Sequence, residues 1–307
     1  MGTHIEAAWA QAGNGRHRAT ARGLADAAAA KCFTLAGRTP GDIDMLINVG
    51  TYREDNMGEP ALAALIQEDI GANLGQPTAG RTGTFSFDLL NGACGAITAI
   101  QIESGLLKSG VIKLGAVVSS DVQPELEGEQ DAFLRPAGGA ILLGWRENFA
   151  GFTDFGAETF PEYEHLFTSG LVWRERHGFH APGLGNGHNG MVVTVQPGYR
   201  ARLADCAEEA TRRFLRRLNL GVDDIDLLVP APAVPDFLDP LRARLGISGD
   251  RVAFTPEDLE SAYTTGPIAA LQAATKSGRL AEARNILLLA AGPGVAIALA
   301  LYRQTAP

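Results

Sequence analysis

Two distant parts of the chain repeat the same order of helical and apolar segments, and this repeat limits the possible folds more than any other feature of the sequence. An alanine-rich segment at 19–40 leads into the acidic turn and apolar run GDIDMLINVG at 41–50. The second copy, at 200–221, leads into VDDIDLLVPA at 222–231. We therefore expect two structurally equivalent units.

The repeat continues downstream of each copy. The segment at 95–120 is echoed by the segment at 266–292, and each reads as a helix, a turn with a basic residue and glycine, and an apolar strand. Uniformly apolar strands joined through helices predict a largely parallel sheet covered on both faces, which is the α/β class. We expect an N-terminal half at 1–145 and a C-terminal half at 196–307.

The segment at 146–195 separates the two halves. It is rich in aromatic residues, glycine and histidine, and its hydrophobic periodicity is weak. Connections of this length in compact proteins usually serve as lids, binding loops or interface elements. We predict a long connecting excursion that forms a lid or a dimer interface.

Charge and cysteine content narrow the class of protein. The net charge of -9 over 307 residues argues against a nucleic-acid-binding protein, which normally has a basic surface. With three cysteines, a disulfide framework is not expected, and a reducing cytoplasm is the simplest location. Neither a secretory signal nor a run of about 18 apolar residues is present, so we expect a protein without a membrane anchor.

Cys94 has the surroundings that best fit a nucleophile. It precedes the helical segment GAITAIQIESGLLKS, which carries few charges and is expected to be buried. A cysteine in the first turn of a helix lies beside unpaired N–H groups and the positive end of the helix dipole, which favour the thiolate and can hold an oxyanion. Gly92 and Gly95 leave room for a substrate carbonyl. The alternative is a small packing residue, which is our interpretation of Cys32 and Cys206.

An ordered series of segments resembles the β-ketoacyl-acyl-carrier-protein synthase III family. The series comprises FDLLNGACGAITAIQ, LLKSGVIKLGAVVSSD, PAGGAILLG, VDDIDLLVPAPAV, FLDPLRARLGI and LLLAAGPGVAIALALYR. The resemblance implies the thiolase fold, in which duplicated α/β halves form five αβαβα layers with two sheets and a buried helix pair. It also implies that Cys94 accepts an acyl group.

Two positions depart from the family pattern of cysteine, histidine and asparagine. In the family, the histidine and asparagine bind the thioester carbonyl of a malonyl donor and stabilise the enolate formed on decarboxylation. The histidine position is Ala231, and the asparagine position falls on Ser261 or Tyr263. Standard decarboxylative condensation is therefore in doubt. Tyr263 is either a substitute phenolic donor or a packing residue.

An activating base for Cys94 would have to come from the excursion, which holds four of the six histidines. One of the four is a candidate to reach the Cys94 pocket, if necessary across a dimer interface; the alternative for each is an exposed or structural role. No ligand set with suitable spacing accompanies the HGFH motif, so no metal is predicted. The four candidates are His165, His177, His180 and His188.

The C-terminal motif AAGPGV resembles the glycine loop that closes over the active cysteine in the family and donates an N–H to the oxyanion hole. Gly292 and Gly294 are the candidates, since Pro293 has no N–H. A tight turn between two strands would use the same residues, and the two interpretations are compatible.

Six arginines are candidates for docking an acidic acyl carrier protein. Four crowd one side of a helix, and two lie in the helix after VPAPAV, where the family docks its carrier. A solvated amphipathic face explains the first four equally well. The residues are Arg212, Arg213, Arg216, Arg217, Arg242 and Arg244.

The sequence as a whole favours an acyltransferase of fatty-acid or polyketide-type metabolism. It would form an acyl-thioester on Cys94 and pass the acyl group from a carrier-protein or coenzyme A thioester to an acceptor. The alternatives are a non-catalytic subunit paired with a complete ketosynthase homologue, and a decarboxylating condensing enzyme with rearranged donors. We expect a homodimer, or a heterodimer with such a homologue, and no cofactor.

Overall fold

The fold contains eleven strands and seven helices in the part of the chain that the computed structural model describes. That part comprises residues 2–13, 19–56, 58–75, 83–124, 126, 134–147, 150–175, 187–232 and 237–304. The first elements are β1 (Gly2–Ala12), α1 (Ala21–Ala36), β2 (Met45–Asn48), α2 (Leu62–Ile70), β3 (Phe85–Asp88), α3 (Gly95–Ser109), β4 (Leu114–Asp121) and β5 (Ala137–Arg146). They are followed by β6 (Gly151–Thr159), β7 (Phe167–Glu175), β8 (Gly187–Val195), α4 (Tyr199–Arg217), β9 (Leu227–Pro232), α5 (Leu238–Leu245), α6 (Gly266–Lys276), α7 (Arg279–Glu282), β10 (Asn285–Gly292) and β11 (Ala296–Arg303).

Nine strands line up in the order β3-β2-β4-β5-β1-β6-β11-β10-β9, which is symmetric about its centre. The two halves meet where β1 pairs with β6 through Thr3 and Phe152. In the second half, an isolated parallel bridge joins Leu228 of β9 to Val252. This bridge is the counterpart of the pairing between β2 and β3 in the first half. The prediction of duplicated α/β halves is confirmed.

The sheet is mixed, so the prediction of a largely parallel sheet is wrong. β2 runs parallel to β3 and β4, and β9 runs parallel to β10. β5 is antiparallel to β4 and β1, and β11 is antiparallel to β10 and β6. The sequence repeat shows helices before β2 and β9, but β10 returns into β11 through a tight turn, and the described residues between β4 and β5 contain no crossover helix.

Helices α3 and α6 form the buried centre of the molecule and begin in the same way. A 3-10 turn at Gly92–Cys94 runs into α3, and another at Tyr263–Thr265 runs into α6. A Cβ added to Gly95 would lie 3.1 Å from Cβ of Val49, and one added to Gly266 would lie 3.4 Å from Cβ of Ala231. Each helix start therefore packs on the end of a strand, and Thr265 occupies in the second half the place of Cys94 in the first.

The predicted excursion at 146–195 contains a strand of the main sheet and needs correction. β6 lies between β1 and β11 and pairs with β11 along its length. The sequence of β6 does not indicate a core strand, because Gly156 interrupts its hydrophobic pattern. A Cβ at Gly156 would lie 2.6 Å from the Phe214 ring. The described remainder is a 3-10 turn at Pro161–Leu166 and the hairpin of β7 and β8. In the described part, no helix has the length and apolar character needed to cross a membrane.

Candidate active site

Cys94 lies where the two halves of the molecule meet. It is 1% exposed and directly precedes α3. Its Sγ lies 3.6 Å from the carbonyl oxygen of Ala290 in β10 and 3.4 Å from that of Ala296 in β11. A thiol at these distances donates a weak hydrogen bond to either carbonyl. The side chain therefore belongs to the first half but is held by strands of the second.

Burial raises the pKa of the Cys94 thiol to about 12, because apolar surroundings disfavour the thiolate. A backbone hydrogen bond at Ala298 acts in the opposite direction and is the smaller effect. This result differs from the expectation that the helix start favours the thiolate. Burial is the larger of the two effects, so the neutral thiol is the favoured form of Cys94 near neutral pH.

The backbone N–H groups beside Cys94 are already engaged. The N–H of Cys94 donates to the carbonyl of Asn91 at 3.1 Å, and the N–H of Gly95 donates to the carbonyl of Gly92. We expected these groups to be available for an oxyanion, but the 3-10 turn at Gly92–Cys94 uses them. These two N–H groups are therefore not free to hold an oxyanion, which leaves the N–H groups of the AAGPGV turn as the predicted donors.

The turn between β10 and β11 packs directly against the residues around Cys94. A Cβ added to Gly292 would lie 3.7 Å from both N and Cβ of Ala93. Gly294 has φ +122°, which favours glycine. Val295 exchanges backbone hydrogen bonds of 2.8 and 3.3 Å with Phe160, which fixes the turn. The AAGPGV motif is therefore a tight turn that packs beside the Cys94 turn, while an N–H donated to an oxyanion by Gly292 or Gly294 stays a prediction.

Ala231 and Tyr263, which the sequence analysis assigns to the family histidine position and, with Ser261, to the asparagine position, both lie close to the start of a central helix. Ala231 is fully buried in β9, pairs with Ala290 of β10, and packs against Gly266. Tyr263 precedes the α6 start and has φ +42°, a conformation that aromatic residues rarely adopt. A Cβ added to Gly92 would lie 2.8 Å from the Tyr263 hydroxyl. Of the two candidates for the asparagine position, Tyr263 is thus the residue that reaches the Cys94 turn.

Ser261 lies two residues earlier, and its carbonyl accepts a hydrogen bond from the N–H of Arg135 at 3.1 Å. Its surroundings are those of a surface loop, and the described part of the structure gives its hydroxyl no contact with Cys94.

Two further buried tyrosines were not singled out by the sequence, and one of them, Tyr52, packs against Tyr263 and Ala93 beside Cys94. The rings of Tyr52 and Tyr263 are 5.2 Å apart, and their hydroxyls are hydrogen-bonded. Tyr199, at the start of α4, is 1% exposed, and its ring packs against that of Phe167. We call Tyr52 and Tyr263 the tyrosine cluster. Burial raises the pKa of all three phenols, so they are neutral hydrogen-bond donors.

Asp121, at the end of β4, fixes two members of the cluster. Its fully buried carboxyl accepts the N–H groups of Thr51 and Tyr52 at 2.9 Å and that of Thr264 at 3.1 Å. It also accepts the Thr264 hydroxyl. One carboxyl therefore holds together the segments that carry Tyr52 and Tyr263.

The hairpin of β7 and β8 packs against this site. Met191 of β8 contacts the small apolar cluster of Tyr52, Ala93, Leu134 and Tyr263. The Asn56 side chain donates to the carbonyl of Asn189 at 2.5 Å, which ties the hairpin to the segment after β2. Part of the excursion thus forms a wall beside the cysteine.

The histidine candidates for an activating base receive no support from the described residues. His165 is exposed in the 3-10 turn before β7. His188 is a residue of β8 whose side chain lies outside the described part, and His177 and His180 lie outside it altogether. No group of three His, Cys, Asp or Glu residues within the described ranges is arranged to hold a metal ion.

The arginine candidates mostly pair with carboxylates of the same surface. Arg212 bonds Glu208 at 2.9 Å, and Arg244 bonds Asp205 at 2.8 Å. This pairing is what a solvated amphipathic face would show. The other pairs are Arg213 with Glu158 at 3.0 Å and with Glu209, Arg242 with Asp239 at 3.0 Å, and Arg217 with the carbonyl of Phe155 at 2.7 Å.

Arg216 differs from its neighbours on α4. It is exposed and has no carboxylate partner among the residues that are described. Cys32 and Cys206, by contrast with Cys94, are packed inside α1 and α4. The thiol of Cys32 donates to the carbonyl of Ala7 at 3.4 Å.

Comparisons with known proteins agree with this architecture. Residues 215–304 match the family model described as the 3-oxoacyl-[acyl-carrier-protein] synthase III C terminal. The β-ketoacyl-[acyl-carrier-protein] synthase III of Acidiphilium cryptum is 26% identical over 291 residues, which cover 92% of this chain and 84% of that protein. The synthase III of Coxiella burnetii is 27% identical over 283 residues, covering 90% of this chain and 81% of that protein.

Solved structures show the same fold over the whole length. The 3-oxoacyl-(acyl carrier protein) synthase III FabH of Pseudomonas aeruginosa superposes with a TM-score of 0.78 at 16% identity, covering 100% of both chains. OleA of Xanthomonas campestris with bound lauric acid and lauroyl-CoA superposes with a TM-score of 0.76 at 15% identity, covering 99% of both chains. The chain is thus similar to the β-ketoacyl-acyl-carrier-protein synthases III over most of its length, shares their fold, and matches the family's C-terminal model at residues 215–304.

Proposed function

We propose that this protein is an acyltransferase that accepts an acyl group on Cys94 from a carrier-protein or coenzyme A thioester and passes it to an acceptor. The observation that supports this most is the position of Cys94, at the start of α3 and beneath the turn between β10 and β11. Relatives named as synthases III, and OleA with bound lauroyl-CoA, support a thioester as the donor.

The reaction would proceed in two transfers. The Cys94 sulfur attacks the thioester carbonyl carbon, the bond from that carbon to the donor sulfur breaks, and the thiol proton leaves with the donor thiol. An acceptor then attacks the acyl group on Cys94 and releases the cysteine. Because one thioester is exchanged for another in the first transfer, no cofactor is required.

Simple acyl transfer agrees better with the site than decarboxylative condensation does. Decarboxylation of a malonyl donor needs donors that stabilise an enolate, and Ala231 supplies a methyl group at the family histidine position. A condensing enzyme with rearranged donors would have to use other groups, such as the Tyr263 hydroxyl beside Gly92.

A second function is favoured by the protonated state of the thiol. A buried cysteine of raised pKa, with its neighbouring N–H groups engaged, also suits a non-catalytic subunit that pairs with a complete ketosynthase homologue. Under that function Cys94 would pack the core and would not become acylated.

Exposed apolar residues support pairing with a second subunit, whether a copy of this chain or a homologue. Phe85, on the edge strand β3, is 63% exposed, and Leu90 and Val111 are 67% and 68% exposed. An apolar sheet edge of this kind favours association. For a carrier protein, Arg216 is the arginine of α4 with the fewest competing partners among the residues described, so we propose it for docking.

Incubation with a panel of acyl thioesters, followed by denaturing mass spectrometry, tests the proposed function. We expect an acyl adduct on the wild-type protein that is absent from Cys94→Ala. Cys32→Ala and Cys206→Ala are the matched controls, since both residues are buried thiols outside the site, and both variants should keep the adduct. No adduct with any thioester would favour the non-catalytic subunit.

A further inference from the structure

A half-enclosed cavity lies at the open edge of β1. Within the described residues, β1 pairs with β6 at one position, Thr3 with Phe152, so the edge of β1 beyond Thr3 has no strand beside it there. The cavity at this edge has a volume of about 290 Å³ and is bounded by residues 5–8 of β1, the second half of α6, α7 and the end of β11. We call it the edge pocket.

The edge pocket is separate from the candidate active site. Helix α6 begins next to Tyr263, which lies over Gly92, and ends at Lys276. At the rise of an α-helix this length is roughly 15 Å. The pocket is lined by Leu271 and Thr275, in the half of α6 that is farther from the Cys94 turn.

The lining of the edge pocket is mainly apolar. Its acidic member, Glu6, is already neutralised, because its two carboxylate oxygens accept hydrogen bonds from Arg38 at 2.7 and 2.8 Å. The uncharged polar members are Thr275, Tyr302 and Gln304. A ligand in this pocket is therefore expected to have an apolar body. The apolar members are Ile5, Ala7, Ala8, Leu271, Leu280 and Ala281.

Two lysines from different helices meet at a tryptophan on the rim of the edge pocket. Trp9 and Lys276 each directly follow a lining residue, Ala8 and Thr275. The Nζ atom of Lys276 lies 4.8 Å from the centroid of the Trp9 ring, and Nζ of Lys31 in α1 lies 5.3 Å from it. Both ammonium groups are thus placed where β1 and α6 border the pocket.

This pair of cations has no compensating charge among the residues described. The chain has four lysines and a net charge of -9, yet two of the four converge on one ring. Neither Lys31 nor Lys276 pairs with a described carboxylate, whereas most arginines of α4 and α5 do. The ring attracts each ammonium group, but the two groups repel each other. An anion bound to both would relieve this repulsion.

We propose that the edge pocket binds a small amphipathic anion of the fatty-acid carboxylate class, with its apolar chain in the pocket and its carboxylate at Lys31 and Lys276. A carboxylate accepts charge-assisted hydrogen bonds from ammonium groups. The chain must be short, because the volume of the pocket is at the lower limit for ligand sites. This second site does not depend on acylation of Cys94.

Calorimetric titration of the full chain with octanoate tests the head-group contacts. The wild-type protein should bind octanoate, and Lys31→Gln and Lys276→Gln should each weaken the affinity about fivefold, as expected for an exposed charge-assisted contact. Lys108→Gln and Lys113→Gln are the matched controls, since these exposed residues are the other two lysines of the chain, and both variants should bind octanoate as the wild type does.

A second pair of variants tests the location of the apolar chain. Ala281→Phe should abolish binding of octanoate, because the new ring would fill the pocket, and the protein should still fold because Ala281 is exposed on α7. Ala201→Phe is the matched control, since Ala201 is exposed on α4 and lies outside the pocket. Octylammonium, which has the same chain and the opposite charge, should bind more weakly than octanoate.

The outcomes separate this inference from the proposed function. Absence of octanoate binding, or equal or tighter binding of octylammonium, would overturn the edge pocket as an anion site. So would lysine variants that lower the melting temperature but keep the affinity, because the lysines would then only pack on Trp9. Loss of binding in Cys94→Ala would place octanoate at the active site and also overturn the inference. Octanoate binding without acylation of Cys94 by any thioester would support the edge pocket and contradict the proposed function alone.

Discussion

At the level of single residues, the site combines a protonated nucleophile with neutral donors. Burial keeps Cys94 as a thiol and keeps Tyr52 and Tyr263 as phenols, so the resting site carries little charge around the sulfur. A thiol of this kind reacts slowly with small electrophiles in water, because the thiolate is the reactive form. Binding of a thioester in the Cys94 pocket would be needed to draw the thiol into reaction.

The pH dependence of Cys94 alkylation checks this account of the nucleophile. In a Cys32→Ala and Cys206→Ala background, the rate of modification by iodoacetamide should still be rising at about pH 10, since the pKa of the thiol is raised to about 12. Intact mass spectrometry gives the rate at each pH. A plateau near about pH 8.5, where an ordinary cysteine titrates, would contradict the burial argument.

At the level of elements, α3 carries a second buried group that the chemistry does not use. Glu103 is fully buried, and burial raises the pKa of its carboxyl well above its usual range. The carboxyl lies so close to Gly115 of β4 that a Cβ there would be 2.3 Å from its Oε2. Gly115 is therefore the residue that makes room for Glu103 between α3 and the sheet.

Glu103 makes the free energy of unfolding depend on pH with a defined sign. Between the unfolded pKa and the raised folded pKa, the folded protein keeps a proton that the unfolded chain has lost, so stability falls as pH rises through this window. Glu103→Gln should remove this dependence and stabilise the protein near neutral pH. Urea unfolding of both proteins at about pH 5 and pH 8 measures the difference, and an equal slope with pH in both would contradict the prediction.

β6 gives an element-level test of the corrected boundary. Gly156→Ala should destabilise the protein by about 1–3 kcal/mol, because its Cβ would press on the Phe214 ring at 2.6 Å. Gly170→Ala, on β7, is the matched control, since a Cβ there meets nothing within 4 Å. Chemical denaturation should separate the two variants; similar midpoints would argue against a packed central β6.

The sequence repeat predicts the duplicated order of elements, because helices and buried strands leave characteristic hydrophobic patterns in the sequence. It does not predict that β5 and β11 run antiparallel to the strands before them. Strand direction depends on the connections between strands, and the hydrophobic pattern does not record these. Nor does it indicate Tyr52, Tyr199 or Asp121. Each stands in an ordinary local context, and the fold alone brings Asp121 and Tyr52 together with Tyr263 beside the Cys94 turn.

At the level of the whole molecule, the exposed apolar edge predicts association. Sedimentation velocity should give a dimer for the wild-type protein and a smaller species for Phe85→Asp, because a charge on the edge strand opposes strand pairing. Leu35→Asp is the matched control, as Leu35 is 53% exposed on α1. A wild-type monomer at working concentration would contradict the homodimer and would favour a heterodimer with a ketosynthase homologue.

The two halves share one architecture but differ at the starts of their central helices. Cys94 of the first half and Thr265 of the second occupy equivalent positions there. The central claim is that Cys94 becomes acylated there, and peptide mapping after incubation with an uncharged acyl-pantetheine thioester tests it most directly. We predict that the acyl mass lies on the peptide containing Cys94 and disappears in Cys94→Ala. An unmodified Cys94, or an acyl group found instead on Cys32 or Cys206, would contradict it.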